Sequence, residues 1–210
     1  ANPKIFMGYS DVTAFLTSIT QKTGLVTFHG PMLSSFSKGM VDYNFDLIEK
    51  TLFDYKSITI QSPRELQCRV LKSRKAEGPL WGGNMCLLAN RLGTADQLNT
   101  NGTILFIEDI DEYLYAFERM IVHMKEAGMF QNITGLIIGE LVDMKDQDIP
   151  FGKSTDEIVM DVCGDLEIPI ISNFPCGHGM YHATMPISIP VRLDSDSQSP
   201  TLTILESPVK

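Results

Sequence analysis

Ile5-Phe6-Met7-Gly8-Tyr9-Ser10-Asp11 is the stretch on which the reading of the fold turns. An apolar run gives way there to a helical pattern. Val12, Phe15, Leu16 and Ile19 fall at the spacing of one helical face, and Gly24 supplies the stop. A strand that runs into a helix through so short a turn lifts the Ser10 hydroxyl above the sheet edge. It also sets the N–H groups of the helix's first turn beside that hydroxyl, where they can stabilise an oxyanion. Ser10 is therefore a candidate nucleophile. The same residues equally fit a plain helix start capped by Ser10 or Asp11.

Working outward, strand and helix patterns alternate. Leu25-Val26-Thr27-Phe28 reads as a strand ending in the turn His29-Gly30-Pro31; a helix is expected over 44–53, with Phe45, Ile48 and Leu52 on one face; Ile58-Thr59-Ile60 reads as a strand. Alternation of this kind predicts an α/β layer. Residues 63–78 are polar and charged, bounded by Pro63 and Gly78, and are expected to be a linker between a first lobe (1–62) and a second (79–210). In the second lobe Gly82-Gly83-Asn84 opens a helix over 85–92, and Thr103 to Ile107 is a buried strand running directly into Glu108-Asp109. A helix follows over 113–127, then the strand Gly135 to Gly139 ending at Glu140. Ser154 and Glu157 form a capping box ahead of the next helix, and Pro169 to Asn173 is a strand leading into Cys176-Gly177-His178-Gly179. The tail alternates like a hairpin around the polar residues Asp194 to Ser199.

At 210 residues the chain is long enough for a sizeable core, and 43% apolar with 20% charged residues is ordinary for a globular protein. A net charge of -9 with no basic stripe argues against a nucleic-acid partner. No apolar stretch is long enough to span a bilayer, so no membrane partner is expected. The four scattered cysteines lack C-x-x-C spacing, which points to reduced thiols in a cytoplasmic protein. Neither G-x-G-x-x-G nor a phosphate-loop lysine motif is present, and no cofactor is expected. The start at Ala1, almost at once in a strand pattern, suggests a piece of a longer chain.

Three polar side chains stand at comparable places: Ser10 after one strand, Glu108 after a second, His178 in a glycine-flanked loop after a third. Hydrolysis through a serine needs a base for the hydroxyl proton and an acid to orient that base, which His and Glu supply. A loop histidine bonded to backbone is the plain alternative for His178. His178 and His182 are four apart, but the flanking glycines disfavour a helix and no Glu follows His178, so no metal site is assigned. His29 and His123 are read as structural, and Glu112 as a charge suited to a helix start.

Gly8-Tyr9-Ser10-Asp11, Thr27-Phe28-His29-Gly30-Pro31, Gly82-Gly83-Asn84, Phe106-Ile107-Glu108-Asp109, and Gly177-His178 followed by Thr184-Met185-Pro186-Ile187 together resemble the LD-carboxypeptidases, a serine peptidase group that includes microcin-immunity peptidases. The match runs in order over nearly the whole chain. The resemblance implies a partial Rossmann-like N-terminal lobe bearing the nucleophile elbow and a mixed α/β C-terminal lobe with a mostly β tail, the active site lying between them. It implies Ser10 as nucleophile, His178 as general base, Glu108 as the residue orienting it, and the Asp11 N–H as one oxyanion donor. The family's second donor comes from a glycine-rich segment upstream of the serine, which this sequence lacks. Trp81, Asn84 and Glu140 are candidate substrate contacts, with packing an equally good reading of Trp81 and structural bonding of Glu140. Ser188 stands where the family usually has glycine. The implied reaction is cleavage of the bond between an L-configured centre and a terminal D-alanine in cytosolic murein tetrapeptides, and pairing as a homodimer is implied as well. Two alternatives stand beside it: an immunity peptidase that splits a toxic aminoacyl-nucleotide, and a non-catalytic binding module.

Overall fold

The computed structural model describes residues 2–37, 39–53, 58–196 and 199–209. Strand β1 (Met7–Gly8) leads through a short 3-10 turn (Ser10–Val12) into helix α1 (Thr13–Thr23), and β2 (Phe28–His29) follows. Next come α2 (Leu33–Ser37), α3 (Asp42–Phe53), β3 (Ile58–Gln61), β4 (Arg69–Lys72), β5 (Lys75–Asn84) and α4 (Met85–Asn90). The remainder is β6 (Ile104–Ile110), α5 (Leu114–Glu126), β7 (Gly135–Val142), α6 (Thr155–Cys163), β8 (Ile170–Phe174), β9 (Met185–Pro186), β10 (Pro190–Asp194) and β11 (Thr201–Ile204). Of the hairpin turn expected at 194–199, Ser197 and Gln198 lie outside the described residues, as does Ala1.

Two sheets carry the fold: a small one in the order β1-β2-β9 and an eight-stranded one in the order β3-β11-β10-β5-β6-β7-β8-β4. Strands β5 to β8 are parallel, while β10, β11 and β3 add an antiparallel flank at one edge and β4 at the other. The central strands are buried on both faces, and alternate residues feed different cores. Ile104 and Phe106 join a cluster with Leu80, Ile171, Ile187 and Val191, whereas Leu105 and Ile107 pack with Met85, Phe117, Ile121 and Ile158 from α4, α5 and α6.

The structure departs from the sequence reading in two places. Residues 63–78 hold β4 and the first part of β5 rather than a linker, and Ile58–Gln61, expected in the first lobe, pairs with β11 in the large sheet. The charges that made this stretch look solvated face outward and pair: Arg69 with Asp156 at 2.5 Å, Lys72 with Glu167 at 2.9 Å. The buried faces of the first helices are also rotated. Helix α1 buries Thr13, Leu16, Thr17 and Thr20 and leaves Phe15 exposed; α3 buries Asn44, Leu47, Thr51 and Leu52 and leaves Phe45 exposed. The threonines of α1 tolerate burial because their hydroxyls bond internally: Thr17 donates to the Thr13 carbonyl at 2.9 Å, and Thr20 pairs with Thr27 at 2.8 Å. Among the described residues no helix is long and apolar enough to cross a membrane.

Candidate active site

Parallel α/β sheets open their crevice at the carboxyl ends of the strands. Glu108 sits at that end of β6, Glu140 at that end of β7, and Gly177-His178 in the loop after β8. Ser10 approaches from the small sheet. Its φ of 60 puts it in the left-handed region, an outlier for a residue with a side chain and one that commonly marks functional turns. No side-chain cap bond forms at the start of the 3-10 turn or of α1, so Ser10 and Asp11 do not act as the caps the plain reading allowed. The ring of Tyr9 lies 4.9 Å from the His178 ring and 4.8 Å from that of His182, which brings the serine turn against the histidine loop.

His178 Nδ1 bonds the Glu108 carboxylate at 2.7 Å, so Nε2 is the ring nitrogen left to accept a proton. Among the described residues no hydrogen bond joins Ser10 to His178. Glu108 is fully buried. Burial alone would raise its carboxyl, but the bond to His178 and the two neighbouring imidazole rings outweigh that and hold it down at about 2. The carboxylate thus stays ionised at neutral pH, as an acid that orients an imidazole requires. His182, buried and beside His29, is held well below the usual histidine range by burial first and by that neighbour second. Burial pushes the Cys176 thiol well up, with Glu108 and Glu140 adding to the effect, so no thiolate competes as nucleophile at that position. A pocket of about 210 Å³ opens over Tyr9, Met40, Asn44, His178, Met180 and His182.

Comparison with known proteins gives this geometry a family. The model of the LD-carboxypeptidase C-terminal domain matches residues 77–193, and that of the LD-carboxypeptidase N-terminal domain matches residues 1–30. The chain belongs to the LD-carboxypeptidase family. A probable murein peptide carboxypeptidase of Bacillus subtilis (strain 168) is 35% identical over 193 residues, covering 89% of this chain and 58% of the relative. The microcin C7 self-immunity protein MccF of Escherichia coli is 30% identical, covering 97% of this chain and 66% of the relative; a solved MccF mutant in complex with adenosine monophosphate superposes with a TM-score of 0.87 at 28% identity, over 100% of this chain and 69% of that one. The crystal structure of muramoyltetrapeptide carboxypeptidase from Oxalobacter formigenes gives a TM-score of 0.83 at 30% identity, covering 96% of this chain and 68% of that one. The chain therefore spans about 58–66% of the length of the curated relatives it matches here.

Within this LD-carboxypeptidase chain the remaining expected residues fall around the site rather than in its pocket. Asn84 is buried. Its amide caps α4 by accepting from the Leu87 N–H at 3.2 Å and donates to Asp109 at 3.0 Å. Asp109 in turn accepts from the Cys86 N–H at 3.0 Å, so both residues hold the start of α4. Trp81 is partly buried and packs between the two cores. Glu140 has one carboxylate oxygen buried without a partner; the group lies flat against Gly179 and faces the Tyr181 N–H, beneath the histidine loop. Burial raises its carboxyl to about 7. Ser188 adopts a φ of 71, the left-handed turn that glycine would serve in the family. The sequence reading gives Tyr9 and Asn44 no separate role, reads His29 as structural and weighs His182 only as a metal partner of His178. His29 lies within a quoted motif, and His182 follows His178 at close spacing, but neither residue's partner was visible from composition or period.

Proposed function

We propose that this chain carries the catalytic machinery of a serine LD-carboxypeptidase, with Ser10 as nucleophile, His178 as general base, Glu108 as the carboxylate that orients it and the Asp11 N–H as an oxyanion donor. The observation that carries the reading is the 2.7 Å bond from His178 to a buried Glu108, set against a serine turn strained at φ 60. His178 Nε2 takes the Ser10 proton as Oγ attacks the carbonyl carbon of the scissile amide, and the oxyanion meets N–H donors of the turn. The tetrahedral intermediate then collapses, the C–N bond breaks, and the proton passes from His178 to the departing amine of D-alanine. Water, deprotonated by His178, releases the acyl group from Ser10. The substrate class follows the relatives that act on murein peptides: a tetrapeptide whose L-configured centre carries the terminal D-alanine, met in the cytoplasm. Similarity to the microcin C7 self-immunity protein supports a second reading with the same chemistry on an aminoacyl-nucleotide.

The test is incubation of the complete polypeptide with an L,D-tetrapeptide and, separately, an aminoacyl-nucleotide, following free D-alanine or free nucleotide. Ser10→Ala should cut kcat by at least about four orders of magnitude. An unchanged rate in that variant ends the assignment, and turnover of the nucleotide conjugate alone selects the second reading. No turnover of either by the wild type leaves the binding-module alternative.

A further inference from the structure

The carboxylate of Glu108 has two oxygens, and His178 engages one. Oε2 receives Nδ1 of His178; Oε1 is buried and faces Nε2 of His29 at 3.5 Å. On its other side His29 presents Nδ1 to Nε2 of His182 at 3.4 Å. All three side chains are buried, and the Phe106 ring covers His29 at 5.1 Å. His182 is tied in place through its backbone N–H, which donates to Asn44 Oδ1 at 2.8 Å, while the Asn44 amide nitrogen donates to the Met180 carbonyl at 3.0 Å.

For a His29 ring that carries a single hydrogen, one arrangement satisfies this row. An ionised carboxylate only accepts, so the His29 nitrogen facing it must carry the hydrogen. In that arrangement the His29 lone pair is on Nδ1, and the His182 nitrogen opposite donates. We propose that His29 is a positioning residue for Glu108: it donates from Nε2 to the carboxylate oxygen that His178 leaves open, with His182 setting its tautomer. This inference rests on the reading of Ser10, His178 and Glu108 given above. The second contact stops the carboxylate from rotating about its last bond, and so keeps Oε2 aimed at His178 while that ring takes up and returns a proton. A fully buried carboxylate with one free oxygen would otherwise turn or recruit another donor.

The experiment compares the complete polypeptide with His29→Leu, His29→Gln and His29→Asn. The amide nitrogen of Gln reaches the place of Nε2; that of Asn reaches only the place of Nδ1. His29→Leu should lower kcat about 10- to 100-fold, the range seen when an outer partner of a catalytic ligand is removed, with KM changed by no more than about twofold. It should also move the low-field NMR proton resonance of the Glu108–His178 hydrogen bond. His29→Gln should return kcat to within about fivefold of wild type and the resonance to its place, and His29→Asn should behave like His29→Leu. Wild-type kcat and an unmoved resonance in folded His29→Leu would overturn the proposal, as would equal impairment of Gln and Asn should Leu fail to fold. Because the resonance is read without turnover, it tests His29 even if neither substrate is hydrolysed.

Discussion

The two halves of the site are supported by different means. Glu108 grows from the middle of an eight-stranded sheet, with β6 bonded to β5 on one side and β7 on the other and cores on both faces, and His178 follows β8, one strand in from the edge. Among the described residues Ser10 follows a two-residue strand that pairs with β2, at Met7↔Phe28 and Gly8↔His29, in a small sheet completed by β9. What ties the serine side to the rest is a polar seam along α1. Arg91 reaches the Ala14 carbonyl at 3.2 Å and the Ser18 hydroxyl at 2.6 Å, Gln21 bonds the backbone of Gln97 and Asn99, and the Thr13 hydroxyl accepts from the Asn84 N–H at 3.0 Å. Among the described residues, Glu108 and His178 are thus held by sheet register and burial, while α1 behind Ser10 adds to its buried Leu16 several hydrogen bonds, each worth about 0.5–1.5 kcal/mol. Damage to the sheet should unfold the protein; damage near Ser10 should change the site and leave the fold.

The largest effect expected on the sheet side is that of Gly82→Ala. Gly82 pairs with Phe106 across β5 and β6 at φ 150, and a Cβ there would run into the Phe106 carbonyl oxygen, which is backbone inside a parallel ladder and cannot step aside. We expect a loss of at least about 3 kcal/mol, or roughly 6–12 °C in Tm for a chain of this size. Thermal unfolding followed by circular dichroism checks it. A Tm within a degree or two of wild type would show that the support of Glu108 is more pliable than the register implies.

That contrast also explains which parts were legible in the sequence. The run ending in Glu108-Asp109, the capping box at Ser154 and the stop at Gly24 depend on local pattern, and the structure keeps all three. Residues 69–75 were opaque because an edge strand that pairs its outward charges with Asp156 and Glu167 has the composition of a loop. The face of α1 differs from the sequence pattern because a threonine whose hydroxyl is satisfied internally buries as well as an apolar side chain, and in α3 the amide of Asn44 is satisfied by Met180 and His182; nothing local announces such partners. In the site, placement after strands makes Ser10, Glu108 and His178 candidates, and it is the family resemblance that gives them roles. The contacts of His29 and Asn44 join segments far apart in sequence, and no period or spacing encodes such meetings.

A smaller effect separates the halves by pH. Glu140 lies under the histidine loop with its carboxyl raised by burial from 4.5 to about 7. The folded state therefore holds that proton more tightly than the unfolded chain, and stability attributable to this group falls as pH rises from about 4.5 to about 7. Because the carboxyl is only partly buried, solvent screening limits the effect to about 1–2 kcal/mol. The difference in Tm between wild type and Glu140→Gln should widen in favour of the variant across that window, by a few degrees. A constant difference from pH 4.5 to 7 would mean that the loop holding His178 does not feel the charge.

The smallest effect belongs to the serine turn and concerns strain. A residue with a side chain held at φ 60 costs about 1–3 kcal/mol, and glycine removes that cost while giving back about 0.5–1 kcal/mol through the freedom of its unfolded chain. Alanine keeps the strain and removes only the hydroxyl. Both Ser10→Gly and Ser10→Ala should abolish turnover, yet Ser10→Gly should be the more stable of the two by about 1 kcal/mol in denaturant unfolding. Equal stabilities would mean that the turn is relaxed and that the geometry of Ser10 follows from its neighbours. The expected difference would instead mean that the strain of presenting the hydroxyl is held on the small-sheet side, with the bonds of α1 to Asn84 and Arg91 contributing, rather than by the sheet that holds Glu108.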